Sequence, residues 1–143
     1  MKEFNFYALK VVKEKSVRYE PMHSAESVAE FFQKMIGDDA EEHMLVAGCD
    51  TKGAPICFFE LAHGDINSAI VSPAALFKRL FACNCAAFFI CHNHPSSILE
   101  WSKEDIACNA KLKKIGDLLG VRLIDSFLVS DDDWVSAFSD GVL

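Results

Sequence analysis

Basic residues are scarce in this chain. Fourteen Lys and Arg face 21 Asp and Glu, a formal net charge of −7, and that surplus opposes non-specific attraction to a phosphate backbone. The few basic residues do not gather either. Lys111, Lys113 and Lys114 come nearest to a block, and Asp117 follows at once. Nucleic acid is therefore disfavoured as a partner. Long apolar runs are also missing. The longest, Cys85 to Cys91, is too short to span a bilayer. Met1-Lys2-Glu3-Phe4-Asn5 has no apolar stretch behind it to act as a secretory signal. These absences predict a soluble cytoplasmic protein with no membrane partner.

No Cys-x-x-Cys pair occurs, which removes zinc ribbons and thioredoxin-type redox chemistry. The six cysteines, at 49, 57, 83, 85, 91 and 108, are expected to be reduced thiols. Most lie within apolar stretches and read as small buried hydrophobes. Repeats, low-complexity segments and linkers are absent too. What is present is a 143-residue chain, 51% hydrophobic and 24% charged. That length accommodates one domain with a core of its own.

Periodicity divides the chain into alternating elements. Phe4 to Val12 mixes aromatic and β-branched residues and predicts a first strand. Ser24 caps a helix with apolar positions Ala25, Val28, Ala29, Phe32, Met35 and Ile36, and Gly37 stops it. Asp38 to Glu42 reads as a solvated acidic loop. Strands are predicted at Met44–Cys49 and Ile56–His63, with Ile66–Val71 as the hairpin partner of the latter across Gly64-Asp65. Pro73 opens a second helix through Phe81. Ala86–Cys91 predicts a buried strand and Lys103–Leu119 a helix ended by Gly120. Strands at Val121–Val129 and Trp134–Phe138 close the chain. The pattern is a single mixed α/β (α+β) domain over residues 1–143.

The informative stretch is Cys91-His92-Asn93-His94-Pro95, at the end of a buried strand. Residues two apart on a strand face the same way, so His92 and His94 can present both imidazoles to one point. Ser102-Lys103-Glu104-Asp105 opens the next helix and resembles a capping box, with Ser102 as N-cap and an acidic residue at N3. A fold-back of the loop from Pro95 to Trp101 would make Asp105 a third ligand. Two histidines and a carboxylate leave a fourth position open, the pattern of catalytic rather than structural zinc. Zinc lowers the pKa of water at such a position to about 7, although the same set could hold iron.

Hydrolysis at such a site also needs a general base. Glu60, alternating with Ile56, Phe58 and Ala62, is an acidic residue on an apolar face and is the candidate; the plainer alternative is an edge-strand glutamate in solvent. His63 falls opposite Glu60 by alternation and reads as structural. Cys91 points away from His92 and is not counted as a ligand. Trp101 reads as packing, and Asp125 on its apolar face is unexplained.

His-x-His, seven residues, then Ser-x-x-Asp, with an upstream Glu, resembles the JAMM motif of the JAB/MPN metalloprotease superfamily. The flanking residues resemble its bacterial RadC-like branch. His92-Asn93-His94-Pro95-Ser96 and Ser102-Lys103-Glu104-Asp105-Ile106 match two of its blocks, and Gly64, Asn67, Val71 and Pro73 match a third. The resemblance implies a mixed sheet flanked by helices. It also implies one catalytic zinc per chain on His92, His94 and Asp105, with Glu60 as base and Ser102 stabilising an oxyanion. The implied activity is hydrolysis of a peptide or isopeptide bond in a peptide or protein substrate.

Ser97, Ser72, Ala74-Ala75 and Asp65 depart from the branch's usual residues, and none of them is an expected ligand or base. Longer RadC-like proteins carry an N-terminal helix-hairpin-helix region, for which residues 1–23 are too few. A non-catalytic metal-binding interaction module and a DNA-repair-associated protein are the alternative readings.

Overall fold

The computed structural model describes residues 1–8, 10–64 and 71–143. Its elements run α1 (Ala25–Ile36), β1 (His43–Cys49), β2 (Pro55–His63), α2 (Pro73–Ala82), β3 (Ala87–Asn93), α3 (Lys103–Leu119), β4 (Arg122–Val129) and β5 (Trp134–Ser136). The strands form one sheet in the order β2-β1-β3-β4-β5. Neighbours are antiparallel except β3 and β4, which run parallel. A parallel pair needs a crossover between its strands, and α3 provides it. The mixed α/β reading is thus what the chain adopts.

Each sheet face has its own core. On one side, Val28, Ala29, Phe32 and Ile36 of α1 pack over Ala47, Phe89, Cys91 and Phe127. On the other, Leu76 and Leu80 of α2 and Cys108 and Leu112 of α3 pack over Met44, Val46, Phe88 and Ile90. The central strand β3 is buried at all seven positions, which is why it reads as an unbroken apolar run. Complete burial of a side chain such as Phe32 contributes about 1.5–3 kcal/mol.

Local chemistry sets the helix ends. Ser24 and Ser27 exchange capping bonds at the start of α1, and Ser102 and Asp105 do so at the start of α3. Gly120 closes α3 at φ 76°, a left-handed conformation favourable to glycine. Gly116 lets α3 approach β4, since a Cβ there would lie 2.4 Å from the Val121 carbonyl oxygen.

Two expectations need correction or restriction. The strand expected at Phe4–Val12 does not form: residues 4–8 and 10–12 carry neither helix nor strand and are exposed, Phe6 completely. Strand propensity acts through cross-strand and same-face packing, and no described strand pairs with this segment. The expected hairpin partner at Ile66–Val71 falls, apart from buried Val71, outside the described residues. Among the described residues, no helix is long and apolar enough to cross a membrane.

One irregularity matters for the chemistry. Along the β1–β2 pair, Met44 faces Ala62 but Leu45 faces Glu60, so Leu61 is an extra residue in β2. Such a bulge interrupts the strict alternation of side chains. Glu60 consequently lies with Leu45 on the α1 face, while Leu61 and Ala62 both pack into the core under α2 and α3.

Candidate metal centre

His92 is the second-last residue of β3 and His94 lies just beyond it. The His94 amide donates to the Val129 carbonyl at 3.0 Å, extending the β3–β4 ladder past Asn93 and keeping both imidazoles on one face. That face is fixed by Met44, the β1 partner of His92, which belongs to the core under α2 and α3. Asp105 is brought to the same place by the first turn of α3.

The three side chains converge. The Nε2 atoms of His92 and His94 are 3.2 Å apart. Asp105 Oδ1 lies 3.3 Å from His92 Nε2, and Oδ2 lies 3.8 Å from His94 Nε2. Ligand atoms about 2.0–2.1 Å from a tetrahedral zinc are separated by roughly 3.3 Å, so the spacing suits such an ion. His92 and Asp105 are buried and His94 half-buried. Their one-carboxylate, two-imidazole set can hold a divalent transition-metal ion.

Neighbouring groups orient these atoms. The His94 Nδ1 donates to the Ile98 carbonyl at 2.7 Å. That bond fixes the neutral tautomer and leaves Nε2 as the acceptor atom a metal needs. Asp105 Oδ2 accepts from the Ser102 amide at 3.0 Å, and Ser102 Oγ accepts from the Asp105 amide at 3.0 Å. The Ser102 hydroxyl proton is not used in that bond. Trp101 Nε1 donates to Asp140 at 2.9 Å, so the indole ties the site loop to the C-terminal turn rather than only packing beside it.

A cleft of about 680 Å³ opens beside the triad, lined by Ala40, Glu41, Glu42, Gly64, His94, Pro95 and Ser96. The Gly64 amide donates to the Glu42 carbonyl at 2.9 Å, which continues the β1–β2 pairing beyond His43. By that alternation Glu42 shares a face with Met44, and hence with His92. Among the described residues, Glu42, half-buried in the cleft wall, is a carboxylate that the pairing places on this face. Part of the segment read as a solvated acidic loop therefore borders the site.

Glu60 is not brought there. It sits on the opposite face of the sheet, where its carboxylate meets His43 Nδ1 at 3.1 Å and His63 Nδ1 at 3.3 Å. The bulge at Leu61 also puts His63 on the same side as Glu60, where unbroken alternation predicts opposite sides. Glu41 contacts His63 Nε2 and raises the imidazole pKa above its ordinary value.

Asn93, between the two histidines, is a residue that the spaced motif does not single out. Fully buried on the α1 side, it accepts from the His43 amide at 2.7 Å and donates to the carbonyls of Glu41 at 2.8 Å and Asp39 at 3.3 Å. It clamps the segment carrying Glu42. A polar residue inside an apolar strand was the available signal, since such a group needs partners. Asp125 is explained likewise. It accepts from the Ser126 and Phe138 amides and the Ser136 hydroxyl, joining β4 to the end of β5.

Comparison with known proteins covers this whole arrangement. The RadC-like JAB domain family matches residues 22–142. A UPF0758 protein of Chlorobaculum parvum is 32% identical over 115 residues, covering 80% of this chain and 52% of that protein. A UPF0758 protein of a Marinomonas species is 35% identical over 132 residues, 92% of this chain and 59% of its own length. One from Clostridium novyi is 36% identical over 103 residues, 72% and 45% respectively. The chain thus spans about half the length of the curated relatives it matches. With its sheet, its histidine-bearing strand end and its Asp105-capped helix all inside the matched span, the chain belongs to the RadC-like JAB domain family.

Proposed function

We propose that this domain is a zinc-dependent hydrolase of peptide or isopeptide bonds. The supporting observation is the convergence of His92, His94 and Asp105, with His94 also lining a cleft whose wall carries Glu42. Zinc held by that triad would supply Lewis-acid polarisation of a water and of the scissile carbonyl. Glu42 is the general base of this reading, in place of Glu60, because it faces the cleft from the same side of the sheet as His92. Its carboxylate takes a proton from the attacking water and passes it to the leaving amine. Ser102, its hydroxyl proton unused by the helix cap, donates to the developing oxyanion. The cleft receives an extended peptide or protein segment.

Metal analysis of tag-free protein and two glutamine variants tests the reading. Zinc near one equivalent should be lost from the triad in a folded His92→Ala/His94→Ala variant. Glu42→Gln should abolish cleavage of an isopeptide panel while retaining that zinc, and Glu60→Gln should keep cleaving. Loss of activity only in Glu60→Gln would overturn the assignment of the base.

A second reading is a metal-stabilised interaction module without turnover. It draws on the complete capping box of Ser102 and Asp105, which accounts for both residues structurally. Chelation would then lower the melting temperature, with no cleavage across peptide and isopeptide panels. A DNA-repair role draws on the family resemblance alone, and the net charge of −7 opposes it.

A further inference from the structure

We propose that His43, Glu60 and His63 form a second divalent-metal site, on the face of the sheet opposite the triad. His43 and His63 are direct cross-strand partners at the end of the β1–β2 pair. Their rings stack with centroids 4.2 Å apart. Both Nδ1 atoms turn toward the same carboxylate, that of Glu60, at 3.1 and 3.3 Å. One ligand atom from each residue lies within 4.8 Å of the others. Without the extra residue Leu61, His63 and Glu60 would point to opposite faces, so the bulge assembles the cluster.

The far side of each ring carries the second argument. His43 Nε2 meets the Asp39 carboxylate at 3.0 Å, and His63 Nε2 meets Glu41. A metal-ligating histidine characteristically donates its other N–H to a carboxylate, which fixes the tautomer and raises ligand basicity. Both histidines here have that partner. With protons on Nε2, the two Nδ1 lone pairs and the Glu60 carboxylate would face one another, an arrangement that one divalent ion would complete. Three carboxylates around two imidazoles supply the compensating negative charge. Imidazole nitrogen with carboxylate oxygen selects zinc, copper or nickel over magnesium or calcium.

This site is not a second ion of a bridged pair. Its residues share the face of Leu45 and Ala47, whereas His92 shares that of Met44 and Val46. Its place is structural. An ion there would fasten the edge strand β2 to β1 and, through Asp39 and Glu41, to the segment that carries Glu42.

Zinc and cobalt are the probes. Tag-free protein is loaded with zinc sulfate, passed through gel filtration and analysed for metal, with cobalt absorption reporting ligand number and type. Two equivalents are expected in the wild type. One is expected in His92→Ala/His94→Ala, one in Glu60→Gln/His63→Ala, and none when all four changes are combined, with circular dichroism confirming folding. Asp39→Asn should weaken only this site, by about 10–100-fold. A wild type that saturates at one equivalent, lost in the triad variant, overturns the proposal and leaves the triad reading intact. One equivalent that survives the triad variant and disappears in Glu60→Gln/His63→Ala supports this site and overturns the triad as a metal centre.

Discussion

Replacing Asn93 with Leu tests the idea that the back of β3 holds the front of the site. The substitution nearly preserves shape but removes one acceptor and two donors in a fully buried position. A hydrogen bond contributes about 1 kcal/mol net, and an orphaned buried group costs about 1–3 kcal/mol. Three bonds, one of them long at 3.3 Å, give a loss of about 3 kcal/mol. For a domain of this size each kcal/mol moves the melting temperature by roughly 2–4 °C, so a fall of roughly 6–12 °C is expected. The melting is followed by circular dichroism in the presence of chelator, so that metal linkage does not contribute. Hydrogen exchange should rise at residues 38–43 before it rises in the helices. Asn93→Asp should lose at least as much, since it keeps the acceptor for His43 but sets a carboxylate against two carbonyl oxygens. A Leu variant within 1 kcal/mol of wild type, with unchanged exchange at 38–43, would refute the clamp.

Gly116→Ala should destabilise by about 1–2 kcal/mol in chemical denaturation, because the clash with the Val121 carbonyl outweighs the roughly 1 kcal/mol helix-propensity gain of alanine. Ser102→Ala should cost about 1 kcal/mol through loss of the cap, and a melt unchanged from wild type would contradict the capping geometry. Burial pushes the Cys49 thiol up to about 12 and raises Cys91 and Cys108 as well. The unfolded thiols release protons first, so stability is unaffected by them below about pH 8.5 and declines as pH rises toward 12. Alkylation of Cys49 in the native protein at pH 8 should be about a thousandfold slower than in urea; equal rates would place the thiol at the surface.

The triad was legible because each half of it is encoded locally. Alternation places His92 and His94 on one face, and the Ser102–Asp105 capping box orients the carboxylate whatever lies around it. The face that Glu60 joins is not legible in the sequence, for two separate reasons. Alternation states that residues share a face but not which face of the sheet they join, and both faces of this sheet are apolar. The bulge at Leu61 then reverses the alternation without any proline or glycine to mark it. Glu42 was hidden within a run of acidic residues, where solvation is the ordinary explanation. Its role depends on a pairing with Gly64 and on the β1–β3 register, both fixed only in the assembled sheet. Phe4–Val12 shows the converse: strand-forming residues with no described strand beside them.

The division of the triad between β3 and the start of α3 also bears on the order of assembly. Each half is pre-organised by its own element, so the triad comes together when the segment from His94 to Ser102 closes and α3 settles against the sheet. If the triad takes zinc as proposed, the ion becomes a kinetic probe of that docking. If docking belongs to the folding nucleus, added zinc accelerates refolding; if docking comes later, zinc leaves refolding unchanged and slows unfolding alone. During synthesis the histidines emerge before Asp105, so the full ligand set cannot form until the start of the crossover helix has followed them out of the ribosome.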